Sequence, residues 1–169
     1  MRTDGFRGAT GTGSIGLLTA TGAATTYDTT LVIHYGIKGK GERKAAITSG
    51  AFPTAGFTAA SPSTSVTLTT LAASEGCVIV LTMIADGTVK AHQSAVKDLG
   101  SDNEFIEPDG IPDFPDIDLN TYCPWAYIVF KNGSTGSTFT FGSSNWNATG
   151  MVLSIQDVLF GLPDRPKST

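Results

Sequence analysis

The chain is poor in charge: Asp, Glu, Lys and Arg make up 15% of its 169 residues, where an average soluble domain carries about 25%. So sparse a surface is not built to stay wet everywhere and points to burial in contacts. Helical rhythm is also missing, since no stretch keeps apolar residues at a 3.6-residue spacing for three turns, so strands must dominate. Basic charge is short as well. A net charge of -4 argues against generic nucleic-acid binding, which needs a basic face to displace counterions from the phosphates. No run approaches the ~20 apolar residues of a membrane helix, and no apolar core of a secretory signal follows residues 1–6, so synthesis in a cytoplasm is expected.

The parts of common active sites are equally scarce. There are two histidines, His34 and His92, and two cysteines, Cys77 and Cys123. The cysteines lie in or beside apolar runs and read as buried free thiols rather than a disulfide framework. No HExxH, CxxC or GxSxG occurs, so zinc hydrolysis and nucleophile-elbow chemistry lack their residues. Gly11, Gly13 and Gly16 match GxGxxG in letters, but the motif needs a strand before it and a helix after it. Here polar Gly and Thr residues flank it, so a flexible arm explains it better. An enzyme is not expected, nor a cofactor.

What is present is β patterning. Residues 1–27 are small and polar, with Ile15, Leu17 and Leu18 as the only anchor. Such a segment cannot bury enough apolar area to offset its ordering entropy alone, and it reads as an extended arm. Leu31, Ile33, Tyr35 and Ile37 then alternate with other residues, residues 38–44 read as a turn, and residues 44–48 as the return of a hairpin. Residues 49–65 hold Pro53, Gly56 and Pro62 and read as a loop. Val66, Leu68 and Thr70 alternate again. The apolar run from Cys77 meets Asp86-Gly87, the signal for a tight I′ hairpin, with at most a short helix near residues 91–99. Residues 125–131, Asn132-Gly133 and residues 138–141 read as a second hairpin, and Met151, Leu153 and Ile155 mark one face of a last strand. The expectation is an all-β domain over residues 28–163, an antiparallel sandwich or small barrel of about seven or eight strands, followed by a polar tail over residues 164–169.

Two charged clusters stand out. Residues 98–118 hold eight of the 15 acids and no base. Within them Asp113, Asp116 and Asp118, with Glu107 and Asp109, could offer oxygens to Ca²⁺ or a carboxylate pair to a glycosidic bond, although a partner-facing acidic loop is the simpler reading. Lys38, Lys40, Arg43 and Lys44 form a basic tip, either solubilising or set against an acidic surface on a partner or on a symmetry mate's acidic loop. Trp125 reads as core rather than as a sugar platform with Trp146. Asn132-Gly-Ser134 and Asn147-Ala-Thr149 read as turns rather than glycan acceptors.

The order of these elements over residues 29–163 resembles the head decoration, or capsid cement, proteins of tailed phages. The resemblance rests on Tyr35-Gly-Ile37 returning as Lys44-Ala-Ala-Ile47, and on the strand ending at Ala85 that turns at Asp86-Gly-Thr-Val89. It continues through Ile111-Pro-Asp-Phe-Pro115, Ala126-Tyr-Ile-Val-Phe130, Asn132-Gly133 and Phe139-Thr-Phe-Gly-Ser-Ser-Asn145. It implies a structural virion protein that binds the outside of a phage capsid and stabilises it. The implied partners are the major capsid protein and further copies of the chain, a trimer being favoured, with no nucleic acid and no membrane. The contact residues expected are Arg2, Phe6, Arg7, Ile15, Leu17 and Leu18 in the arm, the four basic residues of the tip, and Asp113, Asp116 and Asp118. A tail, neck or fibre component, or a carbohydrate-binding module, remains the alternative.

Overall fold

The computed structural model describes residues 15–17, 26–29, 32–106, 110–158, 162 and 166, with the backbone alone for 15–17. These residues form strands and no helix. In chain order the strands are β1 (Ile15–Leu17), β2 (Thr26–Thr29), β3 (Ile33–Ile37), β4 (Lys40–Lys44), β5 (Gly50–Ala51) and β6 (Ala55–Thr58). Then come β7 (Ser61–Thr67), β8 (Glu75–Met83), β9 (Val89–Gln93), β10 (Lys97–Asp98), β11 (Cys123–Asn132) and β12 (Met151–Asp157). A seven-stranded sheet runs β12-β11-β8-β9-β6-β7, with β10 also paired to β8; β1-β2-β5 and β3-β4 form two small sheets. The fold is therefore all-β and open, not a closed barrel. Its pairing is antiparallel except between β6 and β9, which run parallel with Phe57 opposite His92.

The central strands β8 and β11 are continuous apolar runs because both faces of their sheet are covered. All ten residues of β11 are buried, as are the last eight of β8. Such runs, rather than alternation, are what two-sided burial demands. On one face Ile79, Leu81, Ile128 and Phe130 meet Tyr27 of β2, the β3 residues Ile33, Tyr35 and Ile37, and Phe139, Phe141 and Trp146 from the β11–β12 connection. On the other face Val78, Val80, Tyr127 and Val129 are covered by Leu99, Phe105 and Phe114 of the acidic segment and by Val158 and Leu162. Phe114 meets the Tyr127 ring edge-on at 5.0 Å between centroids. The acidic stretch is thus a lid on a hydrophobic face, held down by apolar residues set among its carboxylates.

Several expectations need correction. The basic run at residues 38–44 is not a turn: Lys38 (φ 50) and Gly39 (φ 78) make the turn alone, and β4 starts at Lys40. Both central residues have positive φ, as a I′ turn requires, and β4 went unseen because its residues are exposed and carry no hydrophobic alternation. Residues 49–65 are not a loop but hold β5, β6 and most of β7. Pro62 fits there because β7 is an edge strand, where a missing N–H disrupts no ladder. At Asp86-Gly87 only Gly87 has positive φ (79). Gly87 N donates to Ile84 O (2.9 Å) and Ile84 N to Thr88 O (3.1 Å), the longer loop in which a turn is followed by a glycine bulge. No helix occupies residues 91–99. Instead β9 and β10 share one lane along β8, interrupted where Ser94 Oγ accepts the Val78 N–H at 2.9 Å.

Residues 138–141 do not pair with β11 either. Phe139 bridges Leu71, and the true partner of β11 is β12, with Ile155 opposite Ile128. Two apolar strands joined through an aromatic excursion satisfy the core better than the short Phe-Thr-Phe run could. Within the expected arm, β1 pairs with β2 through Leu17 and Tyr27, and Tyr27 is 2% exposed, so β2 is part of the β domain.

Candidate partner-binding surfaces

Three surface features could meet a ligand or partner. The first is the β3–β4 hairpin. Its register pairs Ile33 with Lys44, Tyr35 with Glu42 and Ile37 with Lys40. Side chains alternate across a strand, so His34, Arg43 and the Gly36–Gly41 pair take the opposite face. Ile33, Tyr35 and Ile37 are buried, and the outer face is left nearly bare: a Cβ built on Gly39 or Gly41 would meet nothing within 4 Å. Lys38, Lys40 and Arg43 are exposed and Lys44 is half-buried. Burial, reinforced by the charges of Glu42 and Asp86, pushes the Tyr35 hydroxyl above its ordinary pKa. The structure therefore gathers the four basic residues of the expected tip along one short hairpin.

The second feature is the acidic segment. The Asp118 carboxylate accepts from Thr121 Oγ1 (2.7 Å) and Asn120 N (3.0 Å), and these bonds, with the charge of Lys38, hold its pKa below the usual carboxylate value. The basic tip thus acts on an acid of its own chain. Among the described residues no three His, Cys, Asp or Glu side chains converge as metal ligands. The segment is pinned at Glu104, whose carboxylate receives Lys131 Nζ at 2.7 and 2.8 Å.

The third feature is a cleft of about 320 Å³ between the β6–β7 hairpin and the Pro-rich part of the acidic segment. Phe57, Thr58, Ala59 and Pro62, then Ser94, Ala95 and Lys97, and residues 112–116 of the acidic segment line it, so that carboxylates, an ammonium and apolar rings share one surface. Behind it the His92 ring stacks on Phe57 (4.8 Å, 26°) and meets Tyr122 edge-on (4.8 Å, 76°). His92 Nε2 lies 3.2 Å from Thr82 Oγ1, while Nδ1 is buried with no hydrogen-bond partner among the described residues. Burial lowers the pKa of this histidine to about 4.

Of the expected contact residues, Asp113 and Asp116 line the cleft, Asp118 caps a turn, and Lys38, Lys40, Arg43 and Lys44 share the hairpin. Ile15 and Leu17 belong to β1; Arg2, Phe6, Arg7 and Leu18 lie outside the described residues, as does most of the glycine motif. The β6–β7 wall of the cleft went unforeseen because residues 49–65 carry no strand pattern; Pro62 was the only signal. Cys77 and Cys123 are buried thiols that form no disulfide, and burial raises the Cys77 thiol to about 12. Trp125 and Trp146 are buried, Trp146 donating to Thr26 O at 3.1 Å, which removes the sugar platform. Comparison of the chain with protein-family models, with curated proteins and with solved structures finds no match.

Proposed function

We propose that the chain is a structural virion protein that binds the outer surface of a phage capsid and stabilises it, with the major capsid protein and further copies of itself as partners and a trimer as the favoured assembly. The observation that carries this reading is the β3–β4 hairpin: a small sheet anchored by three buried side chains, with an almost unclad outer face and four basic residues on a chain of net charge -4. Lys38 sits at φ 50, a conformation that costs an L-residue roughly 1 kcal/mol and that Asn or Gly would take more easily. Strain of this kind is tolerated where a side chain is needed for contact. A flat backbone flanked by cations suits an acidic, extended segment on a shell subunit, where charge complementarity sets the register.

The test is co-sedimentation of the purified chain with phage heads stripped of their surface proteins. Binding should occur at low salt and weaken as ionic strength rises. The pair Lys40→Glu and Arg43→Glu should abolish it without changing the melting temperature. Retention of full binding by that variant would remove the hairpin from the contact.

A further inference from the structure

Among the described residues the β3–β4 sheet has no third strand, so β4 is an edge along its whole length. In a two-residue I′ hairpin the residues flanking the turn exchange both backbone bonds, and bonded and non-bonded pairs then alternate. Ile37–Lys40, Tyr35–Glu42 and Ile33–Lys44 are therefore the bonded pairs of the register, which aims the N–H and C=O groups of Gly41 and Arg43 outward. Among the described residues no backbone group meets them, and both residues are exposed. Lys40 and Arg43 have no ion-pair partner among the described residues either. We propose that this edge accepts an extended, acidic segment of the shell subunit as an added antiparallel strand, bonded to the main chain of Gly41 and Arg43.

The charges on β4 favour that occupant over a second copy of the same strand. The register that uses both outward-facing residues sets Gly41 of each copy against Arg43 of the other, and it places Lys40 opposite Lys44 and Glu42 opposite Glu42. Like charges directly opposite one another destabilise a sheet, and an edge armed in this way resists pairing with itself. A foreign strand escapes the clash when its charges are the reverse, with acids opposite Lys40 and Arg43 and a base opposite Glu42. Opposite Gly41 the surface is open, since a Cβ built there meets nothing within 4 Å, and a large side chain on the incoming strand covers the bare backbone as aromatics do at edge glycines. Read from its N-terminal end, the partner segment therefore runs acid, base, bulky, acid. The identity of the partner rests on the capsid-binding reading; the strand-addition site itself can be tested without a capsid.

The test uses the full chain and the synthetic peptide Thr-Thr-Glu-Lys-Phe-Glu-Thr-Thr. Binding should slow amide exchange at Gly41 and Arg43 and leave it unchanged along β7, an exposed edge of the large sheet. The peptide Thr-Thr-Lys-Lys-Phe-Lys-Thr-Thr should bind about tenfold more weakly, because two cross-strand pairs change from attraction to repulsion. The variant Lys40→Glu with Arg43→Glu should invert that preference. Gly41→Pro removes an outward N–H without touching the ladder to β3 and should weaken binding severalfold, whereas Gly41→Ala, which adds a methyl group in open space, should keep it. No binding of the first peptide, equal affinity for both, or binding that leaves the Gly41 and Arg43 amides exchanging as before would overturn the proposal. A chain that takes up the peptide as expected but fails to sediment with stripped heads would remove the capsid reading and leave this site standing. A chain that sediments with heads while those two amides stay unprotected would do the reverse.

Discussion

Gln93 grips the backbone of Thr69 from both sides: its Oε1 accepts the Thr69 N–H at 2.7 Å and its Nε2 donates to Thr69 O at 2.8 Å. The side chain is fully buried and acts as one more rung of sheet, fastening the segment after β7 to β9. Nε2 also reaches Cys77 Sγ at 3.5 Å. Replacing Gln93 by Leu strands a donor and an acceptor without creating space, so the loss should be about 2–3 kcal/mol, read as a lower urea midpoint at unchanged slope.

His92 makes stability depend on pH. Its folded pKa is lowered to about 4, below that of the unfolded chain near 6.5, so the unfolded state binds the proton more tightly. Stability is therefore complete above about pH 6.5, falls as the pH drops toward 4, and levels off below that, with a total loss of roughly 3 kcal/mol. His92→Phe should flatten this part of the melting profile between pH 7 and 4 while keeping the stack on Phe57. A variant with the same acid dependence as the parent would assign the effect to other groups.

How much of this was readable beforehand depends on what each segment packs against. β8 and β11 were plain because unbroken apolar runs leave no alternative to burial. The alternation of Ile33, Tyr35 and Ile37 was plain because only one face of β3 is covered. By contrast, β7 and β4 are exposed along most of their length, and an exposed strand records its ladder in backbone bonds rather than side-chain pattern. Gly56 illustrates this: it read as a breaker, yet a Cβ there would collide with the Ala91 carbonyl, so glycine is what lets β6 approach β9. The cleft stayed hidden for the same reason, since one wall belongs to those silent strands. The basic cluster and Asp113 with Asp116 were legible as charge, but not which of them would share a site.

The ion pair of Lys131 and Glu104 joins unequal partners, the lysine side chain 7% and the glutamate 59% exposed. Glu104→Gln should cost about 1–2 kcal/mol, since it leaves a buried ammonium with a weaker acceptor. Adding Lys131→Met should recover most of that loss, as measured by a double-mutant cycle in denaturant. Hydrogen exchange at Phe105 and Leu99 should quicken in the single variant, because the acidic lid is held down there.

Lys38 separates folding from contact. Lys38→Asn relieves the positive-φ strain at the I′ turn and should raise stability by about 0.5–1 kcal/mol, seen as a small increase in melting temperature. The same change removes one cation from the hairpin and should weaken attachment to capsids. A variant that is both more stable and fully competent to bind would show that the tip serves folding alone.

The proposed role, a β scaffold that covers a shell, is tested most directly by a cryo-EM reconstruction of phage particles carrying the protein. Density is expected on the outer face of the head that fits the seven-stranded sheet, with the β3–β4 hairpin turned toward the major capsid protein. Density confined to the tail or neck, or a head surface without this fold, would contradict it.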